Sequence, residues 1–244
     1  MPHFEIAILL IFMAAVIRGY TGFGFAAIAI SGLSFIWPAK VSVPVILLLD
    51  LICSIGLLRK AWCFADMDLL KQLSMGAFVG IPCGLLILTH LPDSILKLSV
   101  SVSVLAMSCW LLKPHYQHLT PHKWLTREIG MISGGFTAAA SIGGLPVVCY
   151  LLLTSYAAQV QRATLVLFLS ATDFASVILM MMNQFIDASL LAPTLILLGP
   201  AFIGVMLGQW LFHRHTPKSF RHIALPVLIS LSLLSLYFNF HIAR

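Results

Sequence analysis

Charged residues are what this sequence has least of. They make up 9 % of 244 positions, against about 25 % in a soluble domain. A water-soluble protein so poor in charge would lack a solvated surface. Contact with lipid explains the shortage, because a charge in hydrocarbon is costly. Acidic residues are the scarcer sign, with 8 Asp+Glu against 14 Lys+Arg and a net charge of +6. The basic residues form short clusters between apolar runs. That pattern fits cytoplasmic loops and speaks against nucleic acid as a partner. Cysteine is sparse: Cys53, Cys63, Cys83, Cys109 and Cys149 have the spacing of neither a disulfide framework nor a ligand set, and read as small buried hydrophobes. Phosphate-binding loops, nucleophile elbows and HExxH helices are missing, which speaks against ATP-driven pumping by this chain alone, though not against an ATP-binding partner, and against the enzyme classes built on those motifs. An intramembrane enzyme would also need a nucleophile–base pair or a metal set within the bundle, and the sequence offers neither. No cofactor and no resident metal are expected. The start carries Glu5 and no Lys or Arg before the first apolar run. It does not resemble a cleavable leader, so the first segment is expected to stay in the protein.

What the chain has in abundance is apolar length. Hydrophobic residues make up 60 %, in segments at roughly 4–38, 41–58, 73–90, 94–112, 128–155, 163–182, 188–212 and 222–240. About 20 residues suffice for one helix to span the hydrocarbon. Segments 4–38 and 128–155 are longer, and each is interrupted in its middle. The first break reads Arg18-Gly19-Tyr20-Thr21-Gly22-Phe23-Gly24 and the second Ala140-Ser141-Ile142-Gly143-Gly144-Leu145-Pro146. Glycine frees the backbone and proline removes a donor, so both runs should bend or unwind there. Such backbone survives at membrane depth only inside protein or around a watery cavity.

The two halves also resemble each other. Ala77-Phe78-Val79-Gly80-Ile81-Pro82-Cys83-Gly84 matches Ala201-Phe202-Ile203-Gly204-Val205-Met206-Leu207-Gly208, and Ala39-Lys40-Val41 matches Ala158-Gln159-Val160. Gly22 then meets Ser141, and Gly24 meets Gly143. The expected architecture is an all-α polytopic membrane protein with a single transmembrane domain over 1–244. It holds two repeats of about four helical segments, about 1–112 and 125–244, joined by a cytoplasmic linker at 113–124. If each broken segment enters and leaves on one side, ten Lys and Arg share one face of the membrane and Lys40, Lys97 and Arg244 lie on the other. If each crosses once, the split is seven against six. The first count carries a positive-inside bias. It favours re-entrant segments, inverted repeats and an outward N-terminus. A single bent crossing per long segment is the alternative.

Inverted repeats with interrupted helices are a recurrent transporter design, with solute held where half-helix ends meet. A half-helix N-terminus offers free N–H groups and a positive dipole end to an anion. Gly22, Gly24, Gly143 and Gly144 would let the backbone approach such a solute; small-residue packing between helices is the other use of glycine. Arg18 lies deep in an apolar run beside the first break. It would pair with an anionic substrate or with Asp50 or Asp173, which sit in the middle of 41–58 and 163–182. Those aspartates are candidates for ion coupling by carrying a proton, or for fixed partners of an arginine. Arg162 begins the segment after the second break and would draw anions in or serve as an ordinary cytoplasmic cation. Tyr20, Thr21, Ser141 and Tyr150 offer hydroxyl groups to a substrate or as caps. His115, His118 and His122 have helical spacing but lie by Pro114 and Pro121 in a solvated loop. Glycine and alanine faces suit either a homodimer contact or packing within one chain.

These residues carry a family resemblance. Gly19-Tyr20-Thr21-Gly22-Phe23-Gly24 in the first half resembles the signature of the TauE/SafE family of membrane anion permeases. So does the second-half run from Gly134-Gly135 through Gly143-Gly144-Leu145-Pro146 to Arg162-Ala163-Thr164. The likeness runs over nearly the whole chain. It implies a prokaryotic inner-membrane exporter of sulfite, sulfonates or related small anions, coupled to an ion gradient. Phe25, Ala139 and Ser141 stand where further glycines are common in the family, which implies an altered site.

Overall fold

A computed structural model describes residues 4–33, 36–112, 122–186 and 190–214, with positions 229 and 233. Every element among them is helical. The helices are α1 (Phe4–Thr21), α2 (Phe25–Leu33), α3 (Ala39–Phe64), α4 (Met67–His90), α5 (Asp93–Leu112), α6 (Lys123–Ala140), α7 (Gly144–Leu151), α8 (Ala158–Met182) and α9 (Leu191–Arg214). Five of these, α1, α3, α4, α8 and α9, are long and apolar enough to cross a bilayer. The expected segment 222–240, apart from positions 229 and 233, and most of the linker 113–124 lie outside the described residues.

Each overlong segment is two helices, as its break implies. The break is not central. α1 has 18 residues and α2 has 9; α6 has 18 and α7 has 8. Eighteen residues rise ~27 Å, so the first arm of each pair nearly matches a bilayer alone and the second is a half-helix. The chain folds back at both breaks. Phe4, at the start of α1, stacks edge-on against Trp37, just before α3, with ring centroids 5.5 Å apart. Thr126 near the start of α6 shares a 2.7 Å hydrogen bond with Tyr150 near the end of α7.

Local chemistry sets the helix ends. Asp66 caps α4 by accepting from the Leu69 N–H at 2.9 Å. Asp93 accepts from the Ala39 N–H at 2.6 Å and so caps α3 from the start of α5. Lys40 donates to the Thr89 carbonyl at 3.1 Å, placing a cation at the negative end of α4.

α3 and α8 form the centre and run in opposite directions. Leu57 and Ala61 of α3 cluster with Ala163, Val166 and Leu167 of α8, and the Asp66 N–H donates to Thr164 Oγ1 at 3.0 Å. Two glycine seams close the bundle, α4 on α6 and α1 on α9. Gly76, Gly80 and Gly84 abut the backbone at Arg127, Met131 and Gly135. Gly204 and Gly208 abut Phe12, Ala15, Val16, Gly19 and Tyr20. Both pairs run parallel. The matched motifs Ala77–Gly84 and Ala201–Gly208 therefore do the same work, and the glycines open to use between two copies are used within the chain. The outward faces of α4 and α9 carry Phe78, Val79, Leu86, Leu195, Ile196 and Phe202, all exposed, as a lipid-facing surface requires.

Candidate functional site

The first break is a glycine turn. The Gly22 N–H bonds the Arg18 carbonyl at 2.6 Å, and Gly22 and Gly24 hold φ +85 and +89, the left-handed region that disfavours a side chain. The Thr21 hydroxyl is consumed locally: it bonds the Ile17 carbonyl at 2.8 Å and the Phe23 carbonyl at 2.7 Å, and accepts from the Phe23 N–H at 3.2 Å. The second break turns at Ser141, φ 58, whose N–H bonds the Thr137 carbonyl at 2.8 Å while the Ile142 N–H bonds that of Phe136 at 3.2 Å. This is the usual way a left-handed residue closes a helix. Gly22 and Ser141, matched in sequence, thus share a backbone conformation.

The two breaks meet. One cavity is lined by Arg18, Phe23, Gly24, Ala26, Ala27 and Asp50 from the first half and by Thr137, Ser141, Ile142, Gly143, Gly144, Leu145, Leu169 and Asp173 from the second. Opposed residues pair at one constant separation in number: Arg18 with Thr137, Phe23 with Ile142, Gly24 with Gly143, Ala26 with Leu145 and Asp50 with Leu169. The first turns of α2 and α7 both line the space, bringing two positive helix ends to it. The cavity holds about 20 Å³ of free space, room for about one water.

Its charge is buried. Arg18, Asp50 and Asp173 are 1 %, 2 % and 2 % exposed. Arg18 Nη1 pairs with Asp50 Oδ1 at 2.6 Å. Nη2 donates to Ser54 Oγ at 2.5 Å, and Ser54 donates to the Asp50 carbonyl at 2.6 Å. Arg18 Nε and Asp173 Oδ2 have no hydrogen-bond partner. A buried ion pair needs its remaining lone pairs and protons satisfied, so these two atoms mark where the cavity is chemically open.

Seven residues singled out in the sequence come together here: Arg18, Gly24, Asp50, Ser141, Gly143, Gly144 and Asp173. Five others stand apart from the lining. Arg162 donates from Nη2 to the Gly19 carbonyl at 3.2 Å and lies across Gly22, where a Cβ would come within 2.7 Å of its Cγ. It stabilises the negative end of α1, and Gly22 makes room for it. Tyr150 is held by Thr126 at the far end of its hairpin. Tyr20 packs on α9 at Gly208, and Thr21 serves its own turn. Sequence reasoning missed Ser54, Thr137 and Leu169. The repeat offered a signal for them, since Thr137 holds the place of Arg18 and Leu169 that of Asp50. Among the described residues no cluster of His, Cys, Asp or Glu is arranged to hold a metal ion.

Spanning helices packed around two opposed breaks and a buried charged cavity define a multi-pass membrane permease. The chain belongs to the sulfite exporter TauE/SafE family, whose model matches residues 7–235. No curated protein matches it, and no solved structure does.

Proposed function

We propose that this protein is a secondary transporter for a small oxyanion of the sulfite or sulfonate class. The cavity between the breaks is its binding site, and the anion is exported across a prokaryotic inner membrane by alternating access coupled to an ion gradient. The observation that carries this reading is the convergence of two half-helix N-termini and the Arg18 guanidinium on one buried space. Backbone N–H groups and positive dipole ends recognise anions, and a guanidinium adds a planar fork matched to oxyanions. Family membership supports the same class of cargo.

The repeats are read as inverted, with 1–112 and 125–244 related by an axis in the membrane plane. The opposed course of α3 and α8 supports this, because they are corresponding helices. So does the exchange of partners, α1 with α9 and α6 with α4. A sulfite ion needs more room than one water, so loading requires the hairpin tips to part, and opposed hairpins can part toward either side in turn. Gly22, Gly24, Ser141, Gly143 and Gly144 shape the tips, while the buried aspartates Asp50 and Asp173 form the coupling centre together with Arg18. Arg162 keeps the first tip in place beside Tyr20 and Thr21, while Tyr150 fastens the far end of the second hairpin to Thr126.

The test is flux into vesicles containing the purified protein, with sulfite, sulfate, alkylsulfonates and carboxylates, with and without a pH gradient. Saturable movement of sulfite or a sulfonate, driven uphill by the gradient, is the expected result. Absence of flux for every oxyanion would leave a membrane scaffold, and non-saturable flux would leave an anion channel.

A further inference from the structure

The two buried aspartates are not equivalent. Asp50 is tied to Arg18 by a 2.6 Å ion pair, and Ser54 bridges the same guanidinium to the Asp50 backbone. Asp173 reaches the cavity from α8 with its Oδ2 unpartnered and buried. The charged groups facing it are Arg18 from α1 and Asp50 from α3. Cys53 lies beside that pair on α3, α6 contributes Thr137, and the first turns of α2 and α7 bring no titratable side chain. One guanidinium and two carboxylates leave one negative charge unmatched. Burial in a space of this size is tolerated only if that charge is neutralised when it matters.

Resting on the transport reading above, we infer that Asp173 is the proton-carrying group and Asp50 the fixed counter-ion of Arg18, so that one proton crosses with each monovalent oxyanion. With the site empty and Asp173 ionised, the triad sums to one negative charge. With the site loaded, the anion adds one negative charge, and a proton bound at Asp173 Oδ2 removes one. The two forms that reorient therefore carry the same charge, and neither exposes an additional one to the low-dielectric interior. The proton comes from the aqueous phase that supplies the anion and leaves to the opposite phase, with only the O–H bond forming and breaking. Export then runs down the anion's own gradient, and a proton gradient drives uphill movement only in the direction in which the proton itself falls. Asp50 cannot take the same part without releasing Arg18. The cargo is then hydrogen sulfite or a sulfonate monoanion in preference to sulfate.

The probe is radiolabelled sulfite in vesicles with equal pH on both sides and a potassium diffusion potential, positive inside. About 59 mV accumulates a freely moving monovalent anion about tenfold. Wild-type protein should exchange sulfite yet show no accumulation under that potential, because anion and proton move together. Asp173→Asn protein should accumulate it, close to tenfold. Wild-type vesicles that do not move sulfite would remove the transport reading itself. Wild-type vesicles that move it and respond to the potential would overturn the one-proton assignment alone. So would a folded Asp173→Asn protein that either stays indifferent to the potential or has lost exchange. If Asp173→Asn does not fold, Asp173→Glu takes its place. Its longer carboxyl should keep potential-independent uptake and move the pH of half-maximal rate, and an unmoved profile would overturn the assignment.

Discussion

At the scale of single residues, Arg18 decides whether the cavity is a binding site or an internal ion pair. Its Nη atoms are used by Asp50 and Ser54, and its Nε edge is not. Arg18→Gln should weaken sulfite binding by about 10–100-fold, the range of one charged hydrogen-bonded contact, and Arg18→Lys should recover part of the loss. Titration calorimetry on the folded variants checks this; unchanged affinity in Arg18→Gln would make Arg18 a structural partner of Asp50. The glycines separate by what a side chain would meet. At Gly143 a Cβ would run into Thr137 Oγ1 and the Ser133 carbonyl, whereas at Gly24 the nearest atoms are 3.9 Å away and only φ +89 objects. Gly143→Ala should therefore prevent the second hairpin from closing. Gly24→Ala should fold, at a cost of roughly 1–2 kcal/mol. Thermal unfolding in detergent distinguishes the two.

At the scale of elements, the seams matter more than the helices in them. In lipid, neighbouring helices gain little from the hydrophobic effect, and close packing of small residues takes its place. Gly80 sits against the Met131 carbonyl and the Gly135 N–H, while Gly56 and Gly199 have nothing within 4 Å of where a Cβ would sit. Gly80→Val should part α4 from α6 and lower stability by about 2–4 kcal/mol or more. Gly56→Ala and Gly199→Ala should be neutral or stabilising by up to about 1 kcal/mol. Melting temperatures of the three variants, measured side by side, check the contrast. Equal losses at all three positions would mean that glycine serves helix bending here, not packing.

At the scale of the whole molecule, the prediction concerns sidedness. The Asp66–Thr164 bond puts the α3–α4 turn beside the start of α8, and the Phe4–Trp37 contact puts the start of α1 beside the start of α3. Loops 59–72, 113–127 and 213–221 should therefore all be labelled from the cytoplasm, and a cysteine replacing His3 from outside. The labelling requires a background in which the five native cysteines are replaced. Loops 113–127 and 213–221 reporting from opposite sides would reject the folded-back second segment and the inverted relation with it.

The sequence by itself determined the class. Scarce charge and long apolar runs leave no other solvent than lipid, and that depends on composition alone. It also located both breaks, because glycine and proline act on their own backbone, and it marked Arg18, Asp50 and Asp173, because a charge in an apolar run is conspicuous wherever the chain goes. The uneven arms of each break were not legible, since α1 stays helical through Arg18-Gly19-Tyr20 when α9 packs against it. Nor was the division among polar residues. Thr21, Tyr150 and Arg162 look as available as Ser141 in the sequence, but they are engaged away from the cavity by a turn carbonyl, Thr126 and the end of α1, whereas Ser141 lines it with its hydroxyl on the Val43 carbonyl at 3.3 Å. Ser54 and Leu57 are equally unremarkable until packing sets one beside Arg18 of α1, which runs parallel to α3, and the other beside the antiparallel α8. Only the tertiary structure decided which groups face one another across the cavity, because distances between residues far apart in the chain are fixed by helix packing and not by composition or spacing.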